Sequence, residues 1–352
     1  MGPSSKSCRR GEFWLRGGGV RGVLVTVALL LVGCGHKEEP EGGVQMVRGP
    51  LAGWAIAVGN ETEPMRGLPT RIKRVRDGGF MRFVRGGEFR MGAVSQDSQA
   101  WDNEKPSRRI SVLPFYLDET EVTVSQYEKY ARSVLGNADA SEQGGEAWLK
   151  TEVQDGPTPS RRASWLRPLP GVHDQASSAD PVVQINWREA SAYASWAGVS
   201  LPSEAEFEFA LRGGVEGRVY PWGDDVQGIP KDFANVIDAA FVKHHEDWRG
   251  VAIAEYDDGY EWWSPAGNFH ANKFGVHDLC GNVAEWCLDY FATVREPVQP
   301  GSVMPKGEEG VRAIRGGDMS SDRSTLRCSA RDKNVESYRS YRVGFRCAKE
   351  MP

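Results

Sequence analysis

Apolar residues follow helical spacing in three short stretches of this chain. Helices are predicted over residues 121–131 and 187–197, each with one apolar face. A third is predicted after Ser203, because Ser203 and Glu206 form a capping-box pattern; it runs to residue 211 and ends at Gly213-Gly214. In that position the glutamates of the third helix serve structure rather than catalysis. The faces of the first two helices consist of Val124, Tyr127 and Ala131, with Thr123 as a candidate cap, and of Ala190, Tyr193, Ala194 and Ala197.

Strand patterning is sparser. Residues 80–84 alternate well enough for a strand, and Gly86-Gly87 turns the chain into a second short run at residues 89–91. The 41 glycines, 20 prolines and 12 tryptophans of the 352 residues indicate many loops held by aromatic packing. These patterns predict a globular α+β domain that is rich in loops and has little regular secondary structure.

Residues 136–180 are rich in Gly, Ser, Pro and Asp. Such a composition predicts a long surface insertion with little regular structure. Its candidate contacts with the core are the apolar residues 147–149 and Trp165-Leu166.

The first 33 residues have the pattern of an export signal. A basic leader precedes a ten-residue apolar run over 23–32, which is short for a bilayer span. The run ends in Leu31-Val-Gly-Cys34, which resembles a bacterial lipobox, so residues 1–33 are interpreted as a lipoprotein signal peptide and Cys34 as the lipidation site. The alternative is an ordinary signal peptide with an incidental cysteine. Gly35 in place of aspartate favours the outer membrane, facing the periplasm or the surface.

Residues 34–77 are interpreted as a tether and N-terminal extension, and residues 78–352 as the globular domain. Glu38, Glu39 and nearby Pro and Gly suit a flexible tether. The basic residues between 66 and 76 are expected on a solvated face rather than on anionic lipid. A net charge of −5 without a basic face argues against a nucleic-acid partner.

The most informative run is Asn272 to Trp286. It lacks helical or strand periodicity and places Asp278, Asn282 and Glu285 among glycines and bulky apolar residues. Oxygen ligands on irregular backbone are what Ca²⁺ requires, and glycines permit the turns that aim carbonyls inward. The alternative is a buried turn in which the carboxylates are satisfied by the protein.

Several ordered blocks resemble the formylglycine-generating enzyme family, also called sulfatase-modifying factors. The resemblance extends from about residue 78 to the C-terminus and implies that family's complex C-type-lectin-like fold. The blocks are Phe89-Arg-Met-Gly92, Phe115 to Thr123, Pro181 to Trp187, Leu201 to Ala210, Arg212-Gly-Gly214, Tyr220-Pro-Trp-Gly223, Asn272 to Trp286, Ile314-Arg-Gly-Gly317, Arg327 to Arg331 and Gly344-Phe-Arg-Cys347.

The resemblance implies two structural Ca²⁺ sites, both built from oxygen ligands on loops. A clamp of this kind would stabilise the folded state wherever Ca²⁺ is abundant. The implied ligands are, for the first site, Asn235, the Val236 carbonyl, Asp258 and the Tyr260 carbonyl, and, for the second, Asp278, the Gly281 and Val283 carbonyls and Glu285.

Four cysteines follow the signal region: Cys280, Cys287, Cys328 and Cys347. An even number in an exported domain predicts disulfides, with three possible connectivities. The resemblance implies Cys287 with Cys328 and Cys280 with Cys347, which would tie the ion loop to the C-terminal segment.

Enzymes of the family carry two thiols shortly after their Arg-Gly-Gly-Ser block, and soft thiolates suit Cu(I). Here residues 315–327 contain no cysteine and have Asp318 in place of the serine. Hydroxyls and carboxylates do not replace soft copper ligands, so copper is not expected. The His-x₃-His-x-Glu set of the related iron enzymes is also missing from the sequence, and His244-His245 is interpreted as a pair of solvated loop histidines.

Two functions from different classes remain open. The first is a non-catalytic lipoprotein module that binds a protein, peptide or glycan of the cell envelope; the second is an oxidase of the same superfamily with an atypical site. The first predicts a ligand surface over residues 318–327 and 334–342, where polar side chains suit adaptable recognition. Its candidate residues are Asp318, Ser321, Arg323, Arg327, Asn334, Tyr338 and Arg342.

Overall fold

Short strands and a few short helices alternate with long loops, as the composition predicts. The computed structural model describes residues 45–46, 54–59, 61–62, 67–136, 145–150, 155–224, 228–292 and 308–351. Residues 1–33 and Cys34 lie outside them. The strands are β1 Gln45–Met46, β2 Ala55–Ala57, β3 Arg71–Arg74, β4 Phe80–Val84, β5 Gly87–Met91, β6 Arg108–Val112, β7 Phe115–Asp118, β8 Gly145–Lys150, β9 Asp155–Ser160, β10 Ala284–Tyr290, β11 Val311–Arg315, β12 Asp332–Val335, β13 Val343–Gly344 and β14 Ala348–Glu350. The helices are α1 Val124–Tyr130, α2 Trp187–Ala197, α3 Glu204–Leu211 and α4 Ala239–Val242.

The largest sheet has the order β1-β2-β3-β4-β7-β14 and extends N-terminal to the boundary predicted at residue 78. Arg74 of β3 is fully buried, although its basic run was expected to be solvated. Its guanidinium pairs with Asp77 at 2.8 Å and with Asp118. Two carboxylates on one cation offset the desolvation that burial imposes, so this arginine is part of the core.

A second sheet has the order β12-β11-β10-β13 and positions the segment that follows it. β10 pairs antiparallel with β11, and Glu285 lies opposite Arg315. β11 therefore delivers Arg315 and then Gly316-Gly317 to one end of the sheet. The amide of Gly281 bonds the Gly316 carbonyl at 3.0 Å, which fastens the predicted ion loop beside that end.

The three predicted helices are confirmed, and so are the caps predicted at Thr123 and Ser203. Thr123, Asn186 and Ser203 cap α1, α2 and α3, each in a capping box. The glutamates of α3 serve structure, as predicted. The Glu206 carboxylate accepts a hydrogen bond from the Ser203 amide and so completes the capping box. Glu204 and Glu208 form buried ion pairs with arginines.

The insertion over 136–180 is more regular than predicted, because β8 and β9 form an antiparallel hairpin. Trp165 is a core residue with 1% exposure, as expected of it. The side chains of residues 147–149 lie outside the described part of the chain. Where the chain is described, no helix has the length and apolarity needed to cross a bilayer.

Candidate functional site: a polar cavity beside Gly316 and Gly317

A cavity of about 400 Å³ opens where β11 ends. Its volume falls in the range of small-molecule sites, about 300–1,000 Å³. Residues with hydroxyl, carboxylate and guanidinium groups and apolar residues both line it, and cysteine and histidine are absent from the described residues that form it. The lining consists of Trp101, Trp248, Val251, Ile314, Arg315, Gly316, Gly317, Asp318, Ser320, Ser321, Asp322, Ser324, Thr325, Ala330, Arg331, Asp332 and Arg342.

Arg315 lies at the buried end of the cavity, with 2% exposure. Its Nη2 donates to Glu208 Oε2 at 2.7 Å and to the Cys328 carbonyl at 3.0 Å. Its Nε–H has no hydrogen-bond partner among the described residues. A buried donor without a partner is uncommon in folded proteins.

Two aspartates form matching turns along one wall. Asp318 Oδ1 accepts from the backbone amide and hydroxyl of Ser320, at 2.7 and 2.6 Å. Asp322 Oδ1 accepts from the same two groups of Ser324, at 2.8 and 2.6 Å. One oxygen of each carboxylate is thus held by its own turn. Burial raises the pKa of the Asp318 carboxyl, and the positive charge of Arg342 opposes the rise.

Trp101 lies at the mouth of the cavity and is 40% exposed. Its backbone amide donates to Glu104 Oε1 at 3.2 Å. Glu104 is fully buried and binds Arg327 at 2.6 and 2.7 Å, and the Arg327 guanidinium carbon lies 5.4 Å from the indole centroid. The indole is therefore supported from below by a buried ion pair while part of its surface faces solvent.

The structure brings part of the predicted ligand surface to this cavity. Asp318, Ser321 and Arg342 line it; Arg323, Arg327, Asn334 and Tyr338 do not. The assignment of Arg327 to ligand contact is wrong, because its side chain is buried against Asp97 and Glu104. Arg323 pairs with Glu255, and Tyr338 donates to Glu146 at 3.1 Å. Asn334 lies in β12, partly buried.

The contributions of Trp101 and Trp248 were missed because each is far from residues 315–342 in the chain. An isolated tryptophan gives no local pattern. The basic residue that supports Trp101 was recognised, but its acidic partner Glu104 was not.

The residues of the first predicted Ca²⁺ site lie together. Asp258 accepts from the amides of Val236 and Tyr260, at 2.9 and 2.8 Å. Asn235 is buried, and its Oδ1 has no partner among the described residues. Burial, followed by the charge of Asp238, raises the pKa of Asp258 to about 8. A cation would offset that repulsion and supply a partner for Asn235, so this donor set fits Ca²⁺.

Asp238 was not among the predicted ligands. It caps α4 through bonds from Ala240 and Phe241, and its other oxygen accepts from the Asp258 amide at 2.5 Å. An Asp immediately before an apolar run is a helix-start signal and could have pointed to it.

The carboxylates of the second predicted site have other partners. Both carboxylate oxygens of Glu285 accept hydrogen bonds from the Arg346 guanidinium, at 2.7 to 2.9 Å. Asp278 accepts from the amides of Gly267 and Phe269. The positive charge beside these carboxylates is therefore the guanidinium of Arg346, a cation that the first site lacks. This arrangement matches the alternative of carboxylates satisfied by the protein.

The loop of the second predicted site nevertheless has an unusual backbone conformation. Gly281 has φ +79°, and a Cβ there would overlap the Asn235 carbonyl oxygen. Asn282 also has positive φ, and its amide donates to the same carbonyl at 2.8 Å. The two predicted ion loops are thus packed directly on each other.

All four described cysteines are free thiols, so neither predicted disulfide is present. Cys280 lies in one core cluster with Cys328, whereas Cys347 lies in another with the aromatic side chains around α1 and α2. A disulfide between Cys280 and Cys347 would have to join side chains of two different core clusters. Burial raises the pKa of every one of these thiols, that of Cys328 to about 12.

The environment of His245 also differs from the prediction that it is a solvated loop residue. It is 1% exposed, stacks on Phe241 with centroids 4.4 Å apart, and its Nε2 lies 3.1 Å from Glu261 Oε1. The apolar neighbours of α4 bury the ring, which local sequence composition did not indicate. Within the described ranges, no group of three or more His, Cys, Asp or Glu side chains is placed to hold a metal ion.

Comparison with known proteins identifies a matching family profile, similar sequences and a similar structure. The profile of the "sulfatase-modifying factor enzyme 1-like domain" matches residues 69–351. The formylglycine-generating enzyme of Streptomyces coelicolor is 32% identical over 286 residues, covering 75% of this chain and 87% of that protein. The "inactive C-alpha-formylglycine-generating enzyme 2" of Bos taurus is 30% identical over 284 residues, covering 75% and 85%. The structure of PvdO from Pseudomonas aeruginosa superimposes with a TM-score of 0.62 at 24% identity, over 80% of this chain and 98% of that one.

Proposed function

This chain belongs to the sulfatase-modifying factor enzyme 1-like domain family, and on that premise we propose that it is a non-catalytic module that binds a ligand of the cell envelope. Family membership does not decide between binding and catalysis, because the relatives include one named as an enzyme and one named as inactive. The decision therefore rests on the chemistry of the cavity.

The observation that carries the proposal is the donor set of the cavity. Its described lining combines hydroxyls, carboxylates, guanidinium groups and indoles, and contains neither thiol nor imidazole. Thiolates and imidazoles are the groups that hold copper and iron in proteins. The four thiols elsewhere are buried with raised pKa values, and buried protonated thiols are poor metal ligands and poor nucleophiles.

The same lining suits binding. Polar groups with fixed positions alternate with two indoles, the composition of sites that recognise polar ligands. Asp318 and Asp322 are held by serine turns before any ligand arrives, which reduces the conformational entropy lost on binding.

The role proposed for Ca²⁺ is structural and concerns the first site. Asn235 Oδ1, the Asp258 carboxylate and the carbonyls of Val236 and Tyr260 would hold the ion, and Asp238 lies next to them. It would fix two loops that have little secondary structure of their own. Addition of Ca²⁺ should raise the melting temperature of the wild-type protein. Asp258→Asn should abolish most of that rise, whereas Asp257→Asn, at an exposed neighbour, should leave it unchanged.

Export and lipidation complete the proposal. Attachment of acyl chains at Cys34 would hold the domain at the outer membrane, facing the periplasm or the surface. In cells, wild-type protein should sediment with outer-membrane vesicles, and Cys34→Ser should release it into the soluble fraction. Sedimentation of the Cys34→Ser variant with membranes would contradict the anchor.

Elemental analysis tests the non-catalytic assignment. Purified protein should contain Ca²⁺ and less than stoichiometric copper and iron, and should consume no O₂ with thiol peptides. Stoichiometric copper or iron retained by wild-type protein, together with O₂ consumption, would overturn the proposal in favour of an oxidase.

A further inference from the structure

We infer that the surface around the turn between β3 and β4 is a second membrane contact, which binds the anionic phospholipid surface to which Cys34 attaches the chain. The inference rests on the proposed anchor and adds a surface of the folded domain to it. We call this surface the basic patch. It consists of Arg71, Lys73, Arg76, Arg82 and Lys129.

Cations of the patch lie next to one another. The guanidinium carbon of Arg71 lies 4.3 Å from the centroid of the Phe80 ring, and Lys73 Nζ lies 5.1 Å from the same centroid. Lys73 Cε and Lys129 Nζ are each 3.6 Å from the point that a Cβ of Gly78 would occupy. Side chains of β3 and α1 therefore form one basic surface.

One carboxylate serves two of the cations. Glu119 accepts from Arg71 at 2.5 and 2.7 Å, and one of its oxygens lies 2.6 Å from Arg82 Nε. Arg74, which is buried in β3, has two carboxylate partners of its own and adds no positive charge to the surface. The balance of the patch therefore depends on its three remaining cations.

These three cations form no ion pair with a carboxylate of the described residues. Lys129 Nζ donates to the Asp77 carbonyl at 2.6 Å, and a guanidinium nitrogen of Arg76 donates to the Trp196 carbonyl. Lys73 is exposed. Like charges held this close repel one another, and an anionic surface would offset that repulsion.

An apolar side chain lies beside the cations, at the start of the turn. Val75 is 58% exposed, more than any other large hydrophobic residue of the described chain. Exposed apolar groups surrounded by Lys and Arg are typical of surfaces that lie in the headgroup region of a membrane. There the apolar group enters the interface and the cations bind phosphate.

The position of the patch in the sheet favours lipid over a protein partner. Ten residues separate Cys34 from Gln45, the first residue of β1, so even a fully extended chain between them spans no more than about 40 Å. In the sheet, Met46 of β1 pairs with Ile56 of β2, and Ile56 pairs with Lys73 of β3. Two strand spacings amount to about 10 Å, so Lys73 lies close to the strand that the anchor would hold near the membrane.

The expected strength of the contact depends on salt. Each cation close to an anionic leaflet strengthens binding about fivefold, so three cations without carboxylate partners should favour the bound orientation about a hundredfold at low salt. The Debye length falls from about 10 Å at 0.1 M salt to about 3 Å at 1 M. High salt should therefore release the patch while the acyl chains at Cys34 keep the protein on the membrane.

The test is the labelling of lysine amines in anchored protein. Protein is extracted with its N-terminus intact from the membranes of producing cells and is added to preformed vesicles of phosphatidylcholine, with or without phosphatidylglycerol. Mass spectrometry follows acetylation by a water-soluble reagent at each lysine. Lys73 and Lys129 should react at least about fivefold more slowly on anionic vesicles than on neutral ones, and 1 M salt should remove the difference. Lys243, which follows α4 and is 62% exposed, should react equally on both.

Matched variants separate the contact from folding. Val75→Asp places a carboxylate beside the patch and should abolish the protection of both lysines, whereas Val335→Asp, at a valine of β12 that is 49% exposed, should leave it unchanged. Arg76→Gln should reduce the protection, and Arg161→Gln, at another exposed arginine, should not. Circular dichroism verifies that each variant is folded.

Each outcome decides. Equal labelling of Lys73 and Lys129 on both kinds of vesicle, with the protein sedimenting with both, overturns the inference while the anchor stands. Protection that Val75→Asp leaves intact overturns it as well. If the protein stays in solution with neutral vesicles, the anchor is wrong, and labelling of the two lysines with phosphatidylglycerol vesicles then decides on the patch alone. Protection in cell-envelope vesicles that phosphatidylglycerol does not reproduce would identify a protein partner and overturn the lipid contact.

Discussion

Glu146 Oε2 accepts a hydrogen bond from Arg342 Nη2 at 3.0 Å, which joins the β8–β9 hairpin to the wall of the cavity. The same oxygen accepts from Ser340 at 2.7 Å and from Tyr338 at 3.1 Å. The hairpin comes from a segment predicted to be a surface insertion with little regular structure, yet one of its carboxylates positions three residues of the predicted ligand surface. Asn334 and Arg323 have no part in this contact.

Replacement of Glu146 should loosen that surface. In Glu146→Gln the negative charge beside Arg342 is lost, so the amides of residues 338–342 should exchange hydrogen faster, while the fold is retained. Hydrogen exchange with mass spectrometry measures this directly. The control is Glu128→Gln, at an exposed ion pair with Arg132, which should leave exchange at 338–342 unchanged. Equal protection of that segment in both variants would show that Glu146 does not order it.

Arg327 should matter for stability. Its guanidinium is fully buried between Asp97 and Glu104, and Arg327→Met would leave two buried carboxylates without their cation. Removing one partner of a buried ion pair costs about 3–5 kcal/mol in the free energy of unfolding. Urea denaturation measures that loss.

Arg323→Met is the matched control, because Arg323 pairs with the exposed Glu255. A pair of that kind contributes about 0–1 kcal/mol. Similar losses in the two variants would mean that the Arg327 network is solvated in solution.

The four thiols should be unreactive in the folded protein. Burial removes them from solvent and raises their pKa values, so the thiolate fraction at neutral pH is very small. In protein that begins after Cys34, Ellman's reagent should detect no fast thiol in the native state and four thiols after denaturation without reductant. Detection of none after denaturation would show two disulfides and contradict the structure.

Local sequence patterns predicted the features that depend on neighbouring residues. Thr123 and Ser203 were recognised as caps because capping requires only a few residues in a row. The structural role of Glu206 followed from the same pattern. The family blocks predicted the fold, and part of the segment after Gly317, which was proposed as a ligand surface, lines the cavity.

Features that depend on distant residues were not predictable in this way. Arg327 belongs to a polar segment, and nothing local indicates that Glu104 lies beneath it. Arg74 lies in a run of basic residues, a pattern that predicts solvent exposure, but in the structure it is buried and forms an ion pair with Asp118. The disulfide pairing implied by the family resemblance is not present either, because all four described cysteines are free thiols.

Glu206 makes the stability of the fold depend on pH. Burial raises the pKa of its carboxyl to about 7, from an ordinary value of 4.5; bonds from Ser203 oppose the rise, and the charges of Glu350 and Asp289 add to it. The folded state therefore binds this proton more tightly than the unfolded chain does. The contribution of Glu206 to stability is complete below about pH 4.5 and is lost as the pH rises through about 7.

Glu206→Gln should remove this dependence while keeping the cap, because glutamine also completes a capping box. At pH values above about 7 the variant should be more stable than the wild type, by on the order of 1–3 kcal/mol, and near pH 4.5 the two should converge. Urea denaturation across this range gives the comparison, and Glu128→Gln, which changes an exposed glutamate, should run parallel to the wild type. A Glu206→Gln curve that also runs parallel to the wild type would show that the buried carboxyl titrates at its ordinary pKa.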